Sequence, residues 1–166
     1  FEGCEGTGKS TQAKLLESRL LKTSYNVVLL HEPGFTHLGQ YLRNWLRDET
    51  KPKLPPEGEL FLFAAARTTL VKDVIVPLIA NPKMVVIVDR FTDSTTAYQG
   101  YGRKLDLDTV YTVNKIATRG LQPDITFLLD APIEVGLERT GSSQLNMGIN
   151  TDIETDPKRI DESGTR

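Results

Sequence analysis

The chain has 166 residues, of which 39% are hydrophobic and 25% charged, with a formal net charge of −2, the composition of one ordinary globular domain. The slight acidic excess argues against a general nucleic-acid binder, which needs a basic surface, and no apolar run approaches the length of a membrane span. With no signal peptide and a single cysteine, Cys4, without a partner in the chain, the expectation is a cytoplasmic protein in a reducing compartment.

Close to the start, Gly3-Cys4-Glu5-Gly6-Thr7-Gly8-Lys9-Ser10 fits the phosphate-loop pattern G-x-x-x-x-G-K-[ST] at every fixed position. Glycines let the backbone curl so that N–H groups face phosphate oxygens, and the following helix adds the positive end of its dipole. Lys9 is expected to reach the β- and γ-phosphates of a bound nucleotide and Ser10 to hold Mg²⁺, while Cys4 fills a free position of the pattern. Gly3, Cys4, Glu5, Gly6, Thr7, Gly8, Lys9, Ser10 and Thr11 form the candidate cofactor-binding segment. Thr11 to Lys22 places Ala13, Leu16 and Leu20 on one helical face. Only Phe1 and Glu2 stand where the strand feeding the loop must run, and Gly164-Thr165-Arg166 closes no recognisable element. We therefore expect a chain that is incomplete at both termini.

Val27-Val28-Leu29-Leu30 has the continuous apolar character of a strand buried on both faces, ended by His31-Glu32-Pro33-Gly34. Leu38, Leu42, Trp45 and Leu46 mark a helix, with Arg43 off the apolar stripe. Lys51 to Gly58, with three prolines, is read as a loop, and Glu59 to Val76 as helix before Pro77. Phe63 and Arg67 lie four residues apart there and share a face. Met84-Val85-Val86-Ile87-Val88-Asp89 is an apolar strand closed by a carboxylate, the pattern in which Asp89 contacts Mg²⁺. Asp106 to Thr118 is a helix with Leu107, Val110, Val113 and Ala117 inward. Within it, Asn114-Lys115-Ile116-Ala117 lacks the Asp that would pair with guanine, which argues against GTPase specificity. Asp124 to Asp130 is read as a strand and Pro132 to Arg139 as a helix; the polar, Gly-rich stretch from about 140 to 166 is read as a mobile lid. Alternating strands and helices predict an α/β fold, a three-layer α/β/α sandwich around a central parallel sheet, as one domain over residues 1–166.

Asp89-Arg90-Phe91-Thr92-Asp93-Ser94-Thr95-Thr96-Ala97-Tyr98-Gln99-Gly100 resembles the thymidylate kinase signature D-R-[FY]-x-x-S-x-x-A-Y-Q-G at all its fixed positions. Other landmarks of that family follow in order: the Glu-containing phosphate loop, Glu32-Pro33-Gly34, Leu62 to Arg67, and Pro123 to Thr126. The resemblance implies the P-loop NTPase fold and phosphoryl transfer from ATP to dTMP, on the way to dTTP, with Mg²⁺ and a homodimer. It gives Arg90 a catalytic role bridging donor and acceptor phosphates. It gives Arg43 and Arg67 contacts to the monophosphate or its base, Phe63 the ring on which thymine stacks, and Gln99 a hydrogen bond to the base edge. Tyr98 resembles the residue that crowds the sugar 2′ position, Ser94 one near the base, and Glu5 one near the acceptor's sugar and phosphate. Glu32 is a candidate at the Mg²⁺ and acceptor side.

Some members of the family carry a catalytic arginine inside the phosphate loop, where this chain has Gly6; such loops are complemented by an arginine of the lid. Arg139, Arg159 and Arg166 are the candidates, and the sequence does not choose among them. Two departures stand out: His31 replaces an Arg usual in the family, and Phe35 replaces the second Gly of E-P-G-G-T. His31 is either a neutral substitute or a weakened anion contact, since an ordinary His carries little charge at neutral pH. Phe35 is expected to alter the loop more than the chemistry. The competing readings are another phosphate-loop nucleotide or deoxynucleoside kinase, and a non-catalytic module that binds ATP for regulation.

Overall fold

A computed structural model describes residues 1–48 and 50–140. Four strands and seven α-helices follow one another along these residues: β1 (Glu2–Gly3), α1 (Lys9–Leu20), β2 (Asn26–His31), α2 (His37–Arg47), α3 (Pro56–Leu70), α4 (Val76–Ile79), β3 (Met84–Asp89), α5 (Thr92–Thr95), α6 (Leu107–Thr118), β4 (Leu128–Leu129) and α7 (Ile133–Thr140). Two π-helical segments, Val71–Ile75 and Thr96–Gly102, continue α3 into α4 and extend α5.

Every strand pairing is parallel. β2 and β3 pair in register from Asn26 with Met84 to His31 with Asp89, and β1 pairs with β4 through Glu2 with Leu128. The two ladders are joined at Phe1, whose N–H donates to Val88 O at 2.8 Å and whose carbonyl accepts from Arg90 N at 3.0 Å. The sheet therefore runs β2-β3-β1-β4, and the carboxyl ends of β1, β2 and β3 lie side by side. In an open α/β sheet that edge is where ligands bind.

Side chains alternate across the sheet. On one face Val28, Leu30, Val86 and Val88 meet Leu70, Val71, Ile75 and Phe91, the main hydrophobic core. Alternation puts Leu29 and Ile87 on the other face, and α1, with its fully buried Ala13, packs against both strands. These are the expected three layers.

Local signals explain the helix ends. The Thr36 side chain caps α2 by accepting from Gly39 N at 3.1 Å, and Asp106 caps α6 by accepting from Thr109 N at 2.8 Å. Pro56 opens α3 with Glu57 and Glu59 in its first turn. That start falls inside the stretch read as a loop.

Other expectations also change. The helix runs on through Pro77, because the π-helical segment before it widens the backbone where proline lacks a donor. Arg43 is buried and Leu38 is 40% exposed, the reverse of the predicted stripe, since the Arg43 guanidinium turns inward to donate to Pro33 O at 3.0 Å. Of the predicted strand Asp124 to Asp130, only Leu128–Leu129 pairs. Thr92–Gly102 is helical, which sequence periodicity did not indicate. Phe35 packs beside the main core. The expected lid lies outside the described residues except for Thr140.

Candidate active site

β1 delivers the chain into the phosphate loop, whose turns need glycine: Gly6 has φ of +71° and Gly8 +91°. Gly8 stands at the N-cap of α1, no side chain caps that helix, and its first turn holds no acidic residue. The helix thus turns an uncompensated positive end to the loop. The Lys9 ammonium donates to Cys4 O at 2.6 Å, closing the loop on itself. Burial, reinforced by the charge of Arg90, pulls the Lys9 pKa down to about 8. Cys4 is exposed and unpaired.

The Ser10 hydroxyl donates to Asp89 Oδ2 at 2.5 Å, so the loop and the end of β3 meet. Asp89 Oδ1 is buried without a hydrogen-bond partner among the described residues. A hydroxyl beside a carboxylate with an unsatisfied buried oxygen suits a hard cation. No cluster of three or more metal-ligating His, Cys, Asp or Glu side chains occurs among the described residues.

Beside the loop lies a cavity of about 670 Å³ lined by Glu32, Phe63, Arg67, Arg90, Ser94, Tyr98 and Gln99, among others. Seven of the substrate-site candidates are thereby brought together from β2, α3, β3 and α5 with its π-helical extension. π-helical turns are frequent at functional sites. Within it Gly100 packs closely on α6, where a Cβ would lie 2.8 Å from Leu107 Cδ2.

Arg90 has φ of +71°, an uncommon value for a residue with a side chain. Its Nη1 lies 3.4 Å from Gly3 O, 3.1 Å from Ser94 Oγ and 3.4 Å from the Tyr98 hydroxyl, and its guanidinium sits 5.4 Å from the centre of the Tyr98 ring. One cation therefore touches both the strand feeding the phosphate loop and the wall of the cavity.

The other charged substrate-site candidates are buried, whether or not they line the cavity. Arg67 is 2% exposed and donates to Glu32, Asn114 Oδ1 (2.6 Å), Thr95 Oγ1 (2.9 Å) and Phe91 O (3.2 Å). Glu32 gives its oxygens to Arg67, whose Nε is 2.7 Å and 3.0 Å from them; burial raises the Glu32 pKa, and the Arg67 charge opposes that rise. Arg43 holds the loop after β2; burial first, then Arg47, lower its pKa to about 10, which leaves it cationic near neutrality. His31 is buried. Desolvation, with Arg43 next and Arg47 also contributing, lowers its pKa to about 4, so the imidazole is neutral near neutral pH. Glu5 is buried, with Oε2 unpartnered among the described residues.

Of the three arginine candidates, Arg139 lies within the described residues, and Arg159 and Arg166 lie outside them. Arg139 Nη1 donates to Gly6 O at 3.3 Å. The approach is close because Gly136 of α7 abuts the loop: a Cβ on Gly136 would be 2.3 Å from Glu5 O.

Two residues escaped the sequence reading. Glu2, 6% exposed, accepts from Phe91 N at 2.7 Å, Ser94 N at 3.3 Å and Ser94 Oγ at 2.6 Å, capping α5 from β1. Asn114 is buried against Arg67 and Thr92 O. The one signal for Glu2 is a carboxylate at a strand position that should be apolar.

A parallel sheet, a phosphate loop joined to a strand-end carboxylate, and a cavity walled by an arginine that reaches both define a phosphate-loop nucleotide-binding domain. Comparison with known proteins narrows the class. The thymidylate kinase family model matches residues 1–158. The thymidylate kinase of Geotalea daltonii is 50% identical over 139 residues, 84% of this chain and 64% of that protein. That of Desulfovibrio desulfuricans is 47% identical over 149 residues, 90% of this chain and 68% of that protein. The crystal structure of thymidylate kinase from Ehrlichia chaffeensis superposes with a TM-score of 0.74 at 39% identity, covering 84% of this chain and 78% of the other. The chain belongs to the thymidylate kinase family. It spans about two thirds of the length of these curated relatives, 64% in the first case.

Proposed function

We propose that this protein transfers the γ-phosphoryl group of ATP to dTMP, giving dTDP and ADP on the route to dTTP, and that residues 1–166 belong to one kinase domain. The observation that carries the proposal is Arg90, held within 3.4 Å of both Gly3 O in the loop strand and the Tyr98 hydroxyl in the cavity. Bringing two phosphates together requires a cation that spans both, because the reaction asks mainly for positioning and charge neutralisation.

In this reading Gly3 to Thr11 bind the ATP phosphates, with Lys9 turning from Cys4 O to them. Ser10 and Asp89 hold Mg²⁺, which when bound neutralises charge on the β- and γ-phosphates. The monophosphate occupies the cavity, with Phe63 under the base and Gln99 at its edge. Tyr98 crowds the sugar, and Ser94 orients Arg90. Glu32, Arg67 and Arg43 shape the cavity and its positive field from behind. Arg139, already against Gly6, is the favoured donor for the place that Gly6 leaves without a side chain. Exposed apolar residues on α3 and α6, Phe61 and Ile116 among them, suit the homodimer expected of the family, and a cytoplasmic location is consistent with the reaction.

The test is ADP release by the full-length protein with ATP and Mg²⁺, comparing dTMP, dUMP, dCMP, dGMP and no acceptor. Strong preference for dTMP is expected, with dUMP second, since the thymine methyl contributes only about 1–3 kcal/mol. Arg90→Ala should lower kcat/KM about 10²- to 10³-fold. ATP binding without acceptor-dependent turnover would refute the kinase reading.

A further inference from the structure

Glu59, in the first turn of α3, is 3% exposed, and nothing in the reaction above uses it. One of its oxygens accepts from Gln99 Nε2 at 2.6 Å and the other lies 3.1 Å from Arg103 Nη2. All three side chains line the cavity, and Gln99 is itself 2% exposed.

This contact decides which end of the Gln99 amide is which. A carboxylate is an acceptor only, so the group turned toward it is the amide NH₂. Flipping Gln99 would set its carbonyl against a buried carboxylate oxygen, replacing a hydrogen bond by two facing acceptors. The bond takes one of the two amide N–H groups and fixes the orientation, so Gln99 Oε1, an acceptor, is turned away from Glu59 and is available to a ligand.

We propose that Glu59 is a specificity-determining positioning residue. By fixing the orientation of the Gln99 amide, with Oε1 on the side away from the carboxylate, it makes the cavity select a pyrimidine whose ring N3 carries a hydrogen, as in thymine and uracil, over cytosine, whose N3 is a bare acceptor. The inference rests on the reading of the cavity as the nucleoside monophosphate site. Cytosine would face Oε1 with a second acceptor, and a buried mismatch of this kind is what lets a polar site reject a near-isosteric base. Arg103, paired with the other oxygen of Glu59, holds the carboxylate in place.

The experiment compares kcat/KM for dTMP and dCMP in full-length wild type and in Glu59→Gln. The variant keeps the shape of the side chain but offers Gln99 either a donor or an acceptor, which frees the amide to turn. The dTMP-to-dCMP ratio should fall at least tenfold, with dCMP gaining through a lower KM. A ratio that stays put while both substrates weaken together would mean a merely structural role and would overturn the proposal. Glu59→Asp, which retains the carboxylate, should keep more of the ratio than Glu59→Gln; the reverse order also overturns it. Should neither variant fold, ¹⁵N-labelled Gln99 in the wild type decides. A downfield Nε2 proton that persists when dTMP binds supports the proposal, and its loss on binding overturns it. Absence of dTMP-dependent turnover in the wild type would instead defeat the kinase reading itself.

Discussion

The Arg67 guanidinium is paired with Glu32 across 2.7 Å in a site where the two residues are 2% and 5% exposed. Three further acceptors, on Asn114, Thr95 and Phe91, complete its shell. Such a cation is first a structural member and only then a wall of the cavity. Arg67→Met should leave the Glu32 carboxylate buried and unpaired, costing about 3–5 kcal/mol of stability. Urea unfolding measures this. Combining it with Glu32→Leu should recover much of the loss; a stable single variant defective only in nucleotide binding would contradict the assignment.

Lys9 carries its charge only below about pH 8 in the free protein, because burial and Arg90 disfavour the ammonium. Its charge is what an incoming triphosphate needs, so kcat/KM for ATP should decline as pH rises through about 8. Lys9→Arg should move that limb upward, since guanidinium does not titrate in this range. A profile flat to pH 9.5 in the wild type would show that Lys9 stays charged.

His31 titrates in the opposite sense to a paired histidine. Its folded pKa of about 4 lies below the ordinary 6.5, so the unfolded chain binds the proton first. The stability it contributes is complete above about pH 6.5 and is lost as pH falls toward 4, amounting to about 3 kcal/mol across that window. Subtracting the pH–stability curve of His31→Asn from that of the wild type isolates the effect. A difference that does not change between pH 6.5 and 4 would rule it out.

Gly136 touches the loop where a methyl group has no room, 2.3 Å from Glu5 O. Gly136→Ala should push α7 away, raise KM for ATP several-fold and cost about 1–3 kcal/mol as overpacking does. Titration with ATP and thermal unfolding read the two effects separately. An unchanged KM would mean that the loop does not depend on α7 for its shape.

The sequence made much of this visible because its strongest signals are local. Met84 to Val88 is one uninterrupted apolar run closed by Asp89, and the strand has those same ends. The loop, the strand-end carboxylate and the cavity residues each sit in a short motif. What it hid depends on contacts between distant segments. Arg43 reads as a solvated position on α2 until Pro33 O, ten residues earlier, draws it inward. Pro77 reads as a stop unless the π-helical turn before it is known. Glu59 looks like a first-turn acid favoured by the helix dipole, which disguises its bond to Gln99. Asp124 to Asp130 has the composition of a strand, but pairing requires a neighbour, and β1 offers one along Glu2 and Gly3.

The Glu2 carboxylate gives the two halves of the site a common datum. β1 leads directly into the phosphate loop, while the N–H groups of Phe91 and Ser94, and the Ser94 hydroxyl that meets Arg90, hang from the same side chain. A displacement of the donor half therefore carries the acceptor half with it, so the gap between them varies less than the position of either. For a transfer in which a misplacement of about 1 Å can cost about 10²-fold in rate, that gap is the dimension to hold constant, and here it is referred to one buried acid.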